Sequence, residues 1–226
     1  MTYVGHIVGG GTHRPDPTKL EAISRLKVPG NKKQLRQALG ALGFYRAYIP
    51  NYAEIAANLT RLVGTKSPNR LIWTDEEQSA FDELKHRACT SPVLISPRFG
   101  EPFLMFTDAS MTSVGCCLAQ LDADNHEHPV AYASHKLSAT QSALSTIERE
   151  AYAVIWSLKR FRDIIFGCHI TVYTDHDPLK YLRETAPKSA KLTRWSLALQ
   201  EFNVTIQYKR GSRNILADAL SRLNTE

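Results

Sequence analysis

The chain has 226 residues, 43% hydrophobic and 22% charged, with a formal net charge of +6, enough for one large domain or a medium domain plus a smaller helical unit. No apolar run approaches the roughly 20 residues that span a bilayer, and Met1-Thr2-Tyr3-Val4-Gly5 lacks the charged start of a secretory signal. A membrane protein is excluded on this reading, and an intracellular, cytoplasmic location is expected.

The first ten residues alternate weakly and run into Gly9-Gly10-Gly11, which predicts a short strand or hairpin arm and a loop. Leu35, Leu39, Leu42, Tyr45 and Ile49 recur at spacings of three and four, one face of an amphipathic helix that Pro50 stops. A second helical stretch follows through Ile55, Leu59 and Leu62, and a third runs from Asp75 through Phe81, Leu84 and Ala88. The segment from Ser91-Pro92 to Gly100-Glu101-Pro102 reads as a boundary, dividing the chain into 1–100 and 101–226.

Beyond it, Phe103 to Phe106, Val114 to Leu121 and Val130 to Ala133 are strand candidates joined by short turns, an antiparallel meander. The polar stretch between the last two, with Asp122, Asp124, Asn125, His126, Glu127 and His128, has residue types that can capture a metal, but the favoured reading is a solvated hairpin loop. Ser145-Thr146-Ile147-Glu148 has the form of a capping box, so a long helix begins at Thr146. The strand Ile170 to Tyr173, a short helix near Leu179, a helix from Lys191 to Glu201, the strand Val204 to Tyr208 and a helix Ile215 to Arg222 complete the order. The expected fold class is α/β, a mixed sheet flanked by helices and preceded by a smaller, mostly helical segment.

Cys89, Cys116, Cys117 and Cys168 fit neither a zinc knuckle nor a disulfide framework, and reduced structural thiols are expected. The charge is unevenly spread. Residues 1–100 carry 14 Lys and Arg against 8 Asp and Glu, while residues 101–226 carry 14 of each. Within the latter, residues 178–213 hold eight basic side chains against Glu184 and Glu201. Basic flanks around a neutral, carboxylate-bearing middle suit a polyanion held at its sides, although ordinary surface charge reads the same way.

Four acids stand in awkward places. Asp108 follows the apolar run ending Phe106-Thr107, and Asp175 follows a second run ending Tyr173-Thr174, so two neighbouring strands would set these carboxylates side by side. Glu150, in the second turn of the long helix, borders the sheet side of an apolar stripe made by Ile147, Ala151, Val154, Leu158, Phe161 and Ile165, while Arg149 and Arg160 point away. Asp218 is a lone acid within Ile215 to Leu220. Each alone reads equally as a cap, a strand end or an exposed position. Together they form an oxygen-only set for hard cations such as Mg²⁺, of the kind that holds two ions about 4 Å apart in phosphodiester hydrolysis.

The motifs FTDAS (Phe106 to Ser110) with Gly115, PVAYASHKLS (Pro129 to Ser138), STIEREAYAVIWSLKRFR (Ser145 to Arg162), YTDH with Pro178-Leu179, RWSLALQEF (Arg194 to Phe202) and ADALSR (Ala217 to Arg222) resemble the ribonuclease H domain of gypsy-type LTR retrotransposon polyproteins. Upstream, YVGHIV (Tyr3 to Val8), PDPTKLEAI (Pro15 to Ile23) and the stretch Lys32 to Leu62 resemble the thumb and connecting region of the reverse transcriptase, which grips template and primer through phosphates.

The resemblance implies a ribonuclease H-like sheet of five strands over 101–226. It also implies an endonuclease that cuts the RNA strand of RNA/DNA hybrids, with Asp108, Glu150, Asp175 and Asp218 holding two Mg²⁺ ions, for which Mn²⁺ substitutes. Ser110, Thr112, Arg149 and Tyr152 become candidates for contacts to RNA 2′-hydroxyls, and Lys180, Arg183, Lys191 and Arg194 for the DNA strand. The implied partners are the hybrid and the polymerase fingers and palm of the same polyprotein, inside retroelement particles. The palm's aspartates are not in these residues, so reverse transcription by this chain alone is not expected. Tyr208 to Asn214 also lacks the loop histidine of cellular ribonucleases H, which implies slower or differently assisted turnover. The rival readings are a catalytically inactive remnant serving nucleic-acid binding or assembly, and a DNA-cutting nuclease or integrase on the same fold.

Overall fold

The computed structural model describes residues 1–65, 67, 68, 70–174 and 190–208. The chain opens with strands β1 (Thr2–Tyr3), β2 (His6–Gly9) and β3 (Thr12–Pro15). Gly10 and Gly11, both at positive φ, make the two-residue turn between β2 and β3, a backbone that glycine adopts without strain. Helices α1 (Pro17–Ser24), α2 (Lys32–Phe44), α3 (Tyr52–Ile55), α4 (Ala57–Leu62) and α5 (Asp75–Cys89) follow, with a 3₁₀ turn over Arg46–Tyr48. The helix expected to reach Pro50 thus breaks at Tyr45 into that turn. The stretch expected as a boundary contributes a strand, β4 (Leu94–Ile95), which pairs with β3 and closes a four-stranded sheet.

The second sheet has five strands in the order β7-β6-β5-β8-β9. β5 (Phe103–Ala109), β6 (Ser113–Leu121) and β7 (Glu127–Lys136) form the expected antiparallel meander. β8 (His169–Thr174) and β9 (Asn203–Tyr208) add to it in parallel. The register of β6 on β7 slips by one at Leu118/Ala119, where Pro129 is the partner and has no N–H to give the ladder. Helices α6 (Ala139–Ser142), α7 (Thr146–Arg160) and α8 (Arg162–Ile165) lie between β7 and β8, and α9 (Ala190–Gln200) lies between β8 and β9. The helices expected near Leu179 and from Ile215 to Arg222 fall outside the described residues.

The central strands are near-continuously apolar because both faces of the sheet are covered. Alternation divides their side chains. Phe103, Met105, Cys116, Leu118, Ile170 and Val172 pack with Ala151, Val154 and Leu158 of α7. Leu104, Phe106, Cys117, Ala119 and Tyr132 pack instead with Leu35, Leu42, Tyr52, Leu59 and Phe81 of the first hundred residues. The N-terminal segment and the five-stranded sheet therefore share one hydrophobic core. The junction is pinned by Gln120, fully buried, which exchanges two 2.9 Å hydrogen bonds with the backbone of Arg98. Burial raises the Cys116 thiol to about 12, which leaves it protonated and inert.

Candidate active site

The two Thr-Asp repeats of the sequence sit on adjacent strands. β5 and β8 run parallel with Phe106 opposite Tyr173, their rings stacked at 5.1 Å, and the Thr107 hydroxyl donates to the Tyr173 carbonyl across 3.4 Å. Asp108 does not leave the strand as expected. Its pairing with Gly115, and that of Ala109 with Val114, carry β5 two residues further. Its side chain is exposed. Asp175 and Asp218 lie outside the described residues, as do Lys180 and Arg183.

Glu150 enters from the helical layer. The capping box on Ser145 and Glu148 starts α7 at Thr146, and one turn later Glu150 is only 2% exposed, with the Thr174 hydroxyl donating to its Oε2 at 3.5 Å. The apolar stripe placed Glu150 at an edge, whereas the buried face also contains Ala153 and Ser157. Counting these small residues widens that face so that Glu150 lies inside it, about 40° from its centre. Thr174 is also buried and directly precedes Asp175 in the chain. A carboxylate held in the buried layer at the end of β8 and an exposed one near the end of β5 thus lie at the same end of two adjacent parallel strands.

The expected nucleic-acid contacts divide into exposed and occupied groups. Ser110 is committed to the β5–β6 turn, its hydroxyl accepting from the backbone N–H of Thr112 and Ser113 at 3.2 and 3.0 Å, while Thr112 itself is exposed. Arg149 folds back on its own helix start, donating to the Leu144 carbonyl at 2.7 Å. The Tyr152 hydroxyl accepts from Gln141 at 2.8 Å. Lys191 pairs with Glu148 at 2.6 Å and lies over the Trp195 ring, and this hydrogen bond holds the Glu148 carboxyl below its ordinary range. Arg194 is exposed.

Asp122, Asp124 and His126 have ligand atoms within 4.8 Å of one another. The Asp122 carboxylate, however, already accepts from the backbone N–H of Asp124 and His126 and meets His128 Nε2 at 2.8 Å. These bonds hold it well below the usual carboxylate range. The group is the hairpin turn expected from sequence, seven residues along from Gly115 and so roughly 20 Å from Asp108.

One row of the sheet escaped the sequence reading. Gly115 is paired with Asp108 on one side and Ser134 on the other. Ser134 is buried, accepts from the backbone N–H of Ala53 at 2.8 Å and, through its carbonyl, from Arg46 at 2.6 Å. A Cβ on Gly115 would collide with Asn51 Oδ1. The start of α3 is therefore seated on β6 and β7, beside the strand that carries Asp108. No periodicity marks such a contact; the nearest sequence signal is the glycine inside a strand pattern.

Residues 98–202 match the model of the RNase H-like domain found in reverse transcriptase. The chain is 38% identical over 233 residues to the retrovirus-related Pol polyprotein from transposon opus of Drosophila melanogaster, covering 99% of this chain and 23% of that one. It is 34% identical over 230 residues to the transposon Tf2-3 polyprotein of Schizosaccharomyces pombe, covering 100% and 17%. The chain thus spans less than a quarter of the length of these curated relatives. Its fold resembles the foamy viral protease-reverse transcriptase solved in complex with an RNA/DNA hybrid, with TM-score 0.79 and 21% identity over 95% of this chain and 30% of that one. The same viral protein in complex with dsDNA gives 0.77 and 23% over 93% and 45%. The five-stranded sheet is an RNase H-like fold.

Proposed function

Residues 98–202 belong to the RNase H-like domain family found in reverse transcriptase, within a chain homologous along its whole length to retroelement Pol polyproteins, and from that premise we propose that it cleaves the RNA strand of RNA/DNA hybrids. The observation that carries this reading is the placement of buried Glu150, held by Thr174, and exposed Asp108 at the same end of the adjacent parallel strands β5 and β8. Asp175 and Asp218 complete the proposed set. The donors are all carboxylate oxygens, which suit Mg²⁺ or Mn²⁺ rather than a thiolate- or imidazole-seeking ion. Bound there, two such ions would lower the pKa of the attacking water and take up charge on the leaving oxygen, giving 5′-phosphate and 3′-hydroxyl ends.

The chain's own residues supply placement. Burial fixes Glu150, and exposure leaves Asp108 open to the polyanion. Thr112 and Arg194 offer groups at the surface for the hybrid, while Lys191 must exchange Glu148 for a phosphate before it can contact the DNA strand. Residues 1–100 are proposed as the thumb and connecting segment and 101–226 as the nuclease domain, acting beside the polymerase palm of the same polyprotein inside the cell, in retroelement particles. Among the described residues no helix is long and apolar enough to cross a membrane.

The test is cleavage of a labelled RNA/DNA hybrid with Mg²⁺ by the whole chain, comparing it with Asp108→Asn. Cleavage abolished by the substitution supports both nuclease and metal site. A folded chain that binds the hybrid and never cuts it would instead support the inactive, nucleic-acid-binding remnant.

A further inference from the structure

We propose that Asn51, from the N-terminal helical segment, is a substrate-binding residue of the nuclease site, donating its side-chain amide to a backbone oxygen of the nucleic-acid strand lying over Asp108. The inference rests on the ribonuclease reading and adds to it a residue 57 positions upstream of the first carboxylate.

The geometry begins at Gly115. Directly opposed residues of an antiparallel pair hold their Cβ atoms about 5 Å apart on the same face. A Cβ on Gly115 would therefore stand about that far from the Cβ of its partner Asp108. Asn51 Oδ1 fills that position. The glycine is thus a gap through which α3 brings an amide beside the carboxylate. Any side chain at 115 would fill the gap and force the amide aside.

The residues around Asn51 release it for this role. Asparagine at a helix start normally turns its side-chain oxygen onto the first backbone N–H groups, but Asn51 makes no such bond. Ser134 of β7 takes that part instead, accepting from Ala53 N–H. Asn51 sits in the left-handed region, at φ 52 and ψ 30, which asparagine tolerates better than most residues. Arg46, bonded to the Ser134 carbonyl and stacked over Tyr52, braces the same turn. Asn51 and Asp108 are both exposed, so a strand reaching the carboxylate passes the amide. A neutral donor suits this place: it binds a phosphate or sugar oxygen without neutralising the carboxylate that must hold cations.

The experiment uses the whole chain and a fluorescein-labelled RNA/DNA hybrid. Affinity is read by anisotropy with Ca²⁺, which occupies oxygen sites, and KM and kcat are read with Mg²⁺. Asn51→Gly keeps the left-handed backbone accessible and removes the amide; it is expected to weaken binding and raise KM about tenfold, with kcat changed much less. Asn51→Asp is expected to lose more, through repulsion of the backbone. Gly115→Ala, by evicting the amide, is expected to match Asn51→Gly, and the double variant to be no worse than either single one. Affinity and KM unaltered in Asn51→Gly overturn the proposal, as do a purely kcat defect or additive losses in the double variant. If the folded wild-type chain fails to cleave, the ribonuclease reading falls, while anisotropy still decides the role of Asn51.

Discussion

The Thr174 hydroxyl donates to the Glu150 carboxylate across 3.5 Å, and through that contact the last described residue before Asp175 fixes the one acid of the proposed set that helix α7 contributes. Both partners are buried at 2% exposure, where a carboxylate needs compensation for lost hydration. The hydroxyl orients a proposed metal ligand without being one. Removing it as Thr174→Val keeps the shape and is expected to reduce hybrid cleavage or Mg²⁺ affinity by about 10- to 100-fold. An Mg²⁺ titration of cleavage reads this; an unchanged curve in a folded variant would remove Thr174 from the site.

Phe106 ties the N-terminal segment to the sheet. Its ring is stacked on Tyr173 and packed in the core shared with Leu35, Leu42 and Phe81. Phe106→Ala is expected to cost about 3–5 kcal/mol, the range for a buried phenylalanine, by urea unfolding of the whole chain. A cost under about 1 kcal/mol, the size of a surface change, would contradict the shared core. A chain starting near Glu101 would expose Leu104, Phe106, Cys117 and Tyr132 together and is expected to bind hydrophobic dyes and aggregate.

Glu148 and Lys191 make stability depend on pH. The hydrogen bond from Lys191 lowers the Glu148 carboxyl from its ordinary 4.5. A group depressed in the folded state stabilises it above the unfolded pKa, and this stabilisation is lost as pH falls through the folded value. Lys191→Met is therefore expected to cost up to about 1 kcal/mol near neutral pH, and the gap between variant and wild type should close as pH drops below 4.5. Denaturation curves at neutral and acid pH compare the two; a gap independent of pH would mean that Lys191 contributes only packing on Trp195.

Asp122 gives the opposite kind of expectation. Its oxygens are engaged by the turn and by His128, so Asp122→Asn should loosen the β6–β7 hairpin while Mg²⁺-dependent cleavage stays within about twofold of wild type. Loss of cleavage without loss of fold would make this cluster a functional metal site after all.

The sequence by itself determined most of the element order. The Ser145 to Glu148 box placed the start of α7 because capping is a local contract between residues three apart. The apolar runs at Phe103 and Ile170 marked buried strands for an equally local reason. It also singled out Asp108 and Glu150, since an acid beside an apolar run is conspicuous wherever the run folds. The tertiary structure decided what lies on the far face of the sheet. Nothing in a run of alternating side chains tells which partner covers each side, so the stretch around Leu94 read as a boundary and is a strand in a sheet that adjoins the shared core. The depth of Glu150 was likewise hidden, because Ala153 and Ser157 carry almost no hydrophobic signal although packing buries them completely. The meeting of Asn51, Gly115 and Asp108 depends on strand register and on the docking of a helix from another part of the chain. Contacts of that kind are set by three-dimensional closeness between residues far apart in sequence, which no local pattern records.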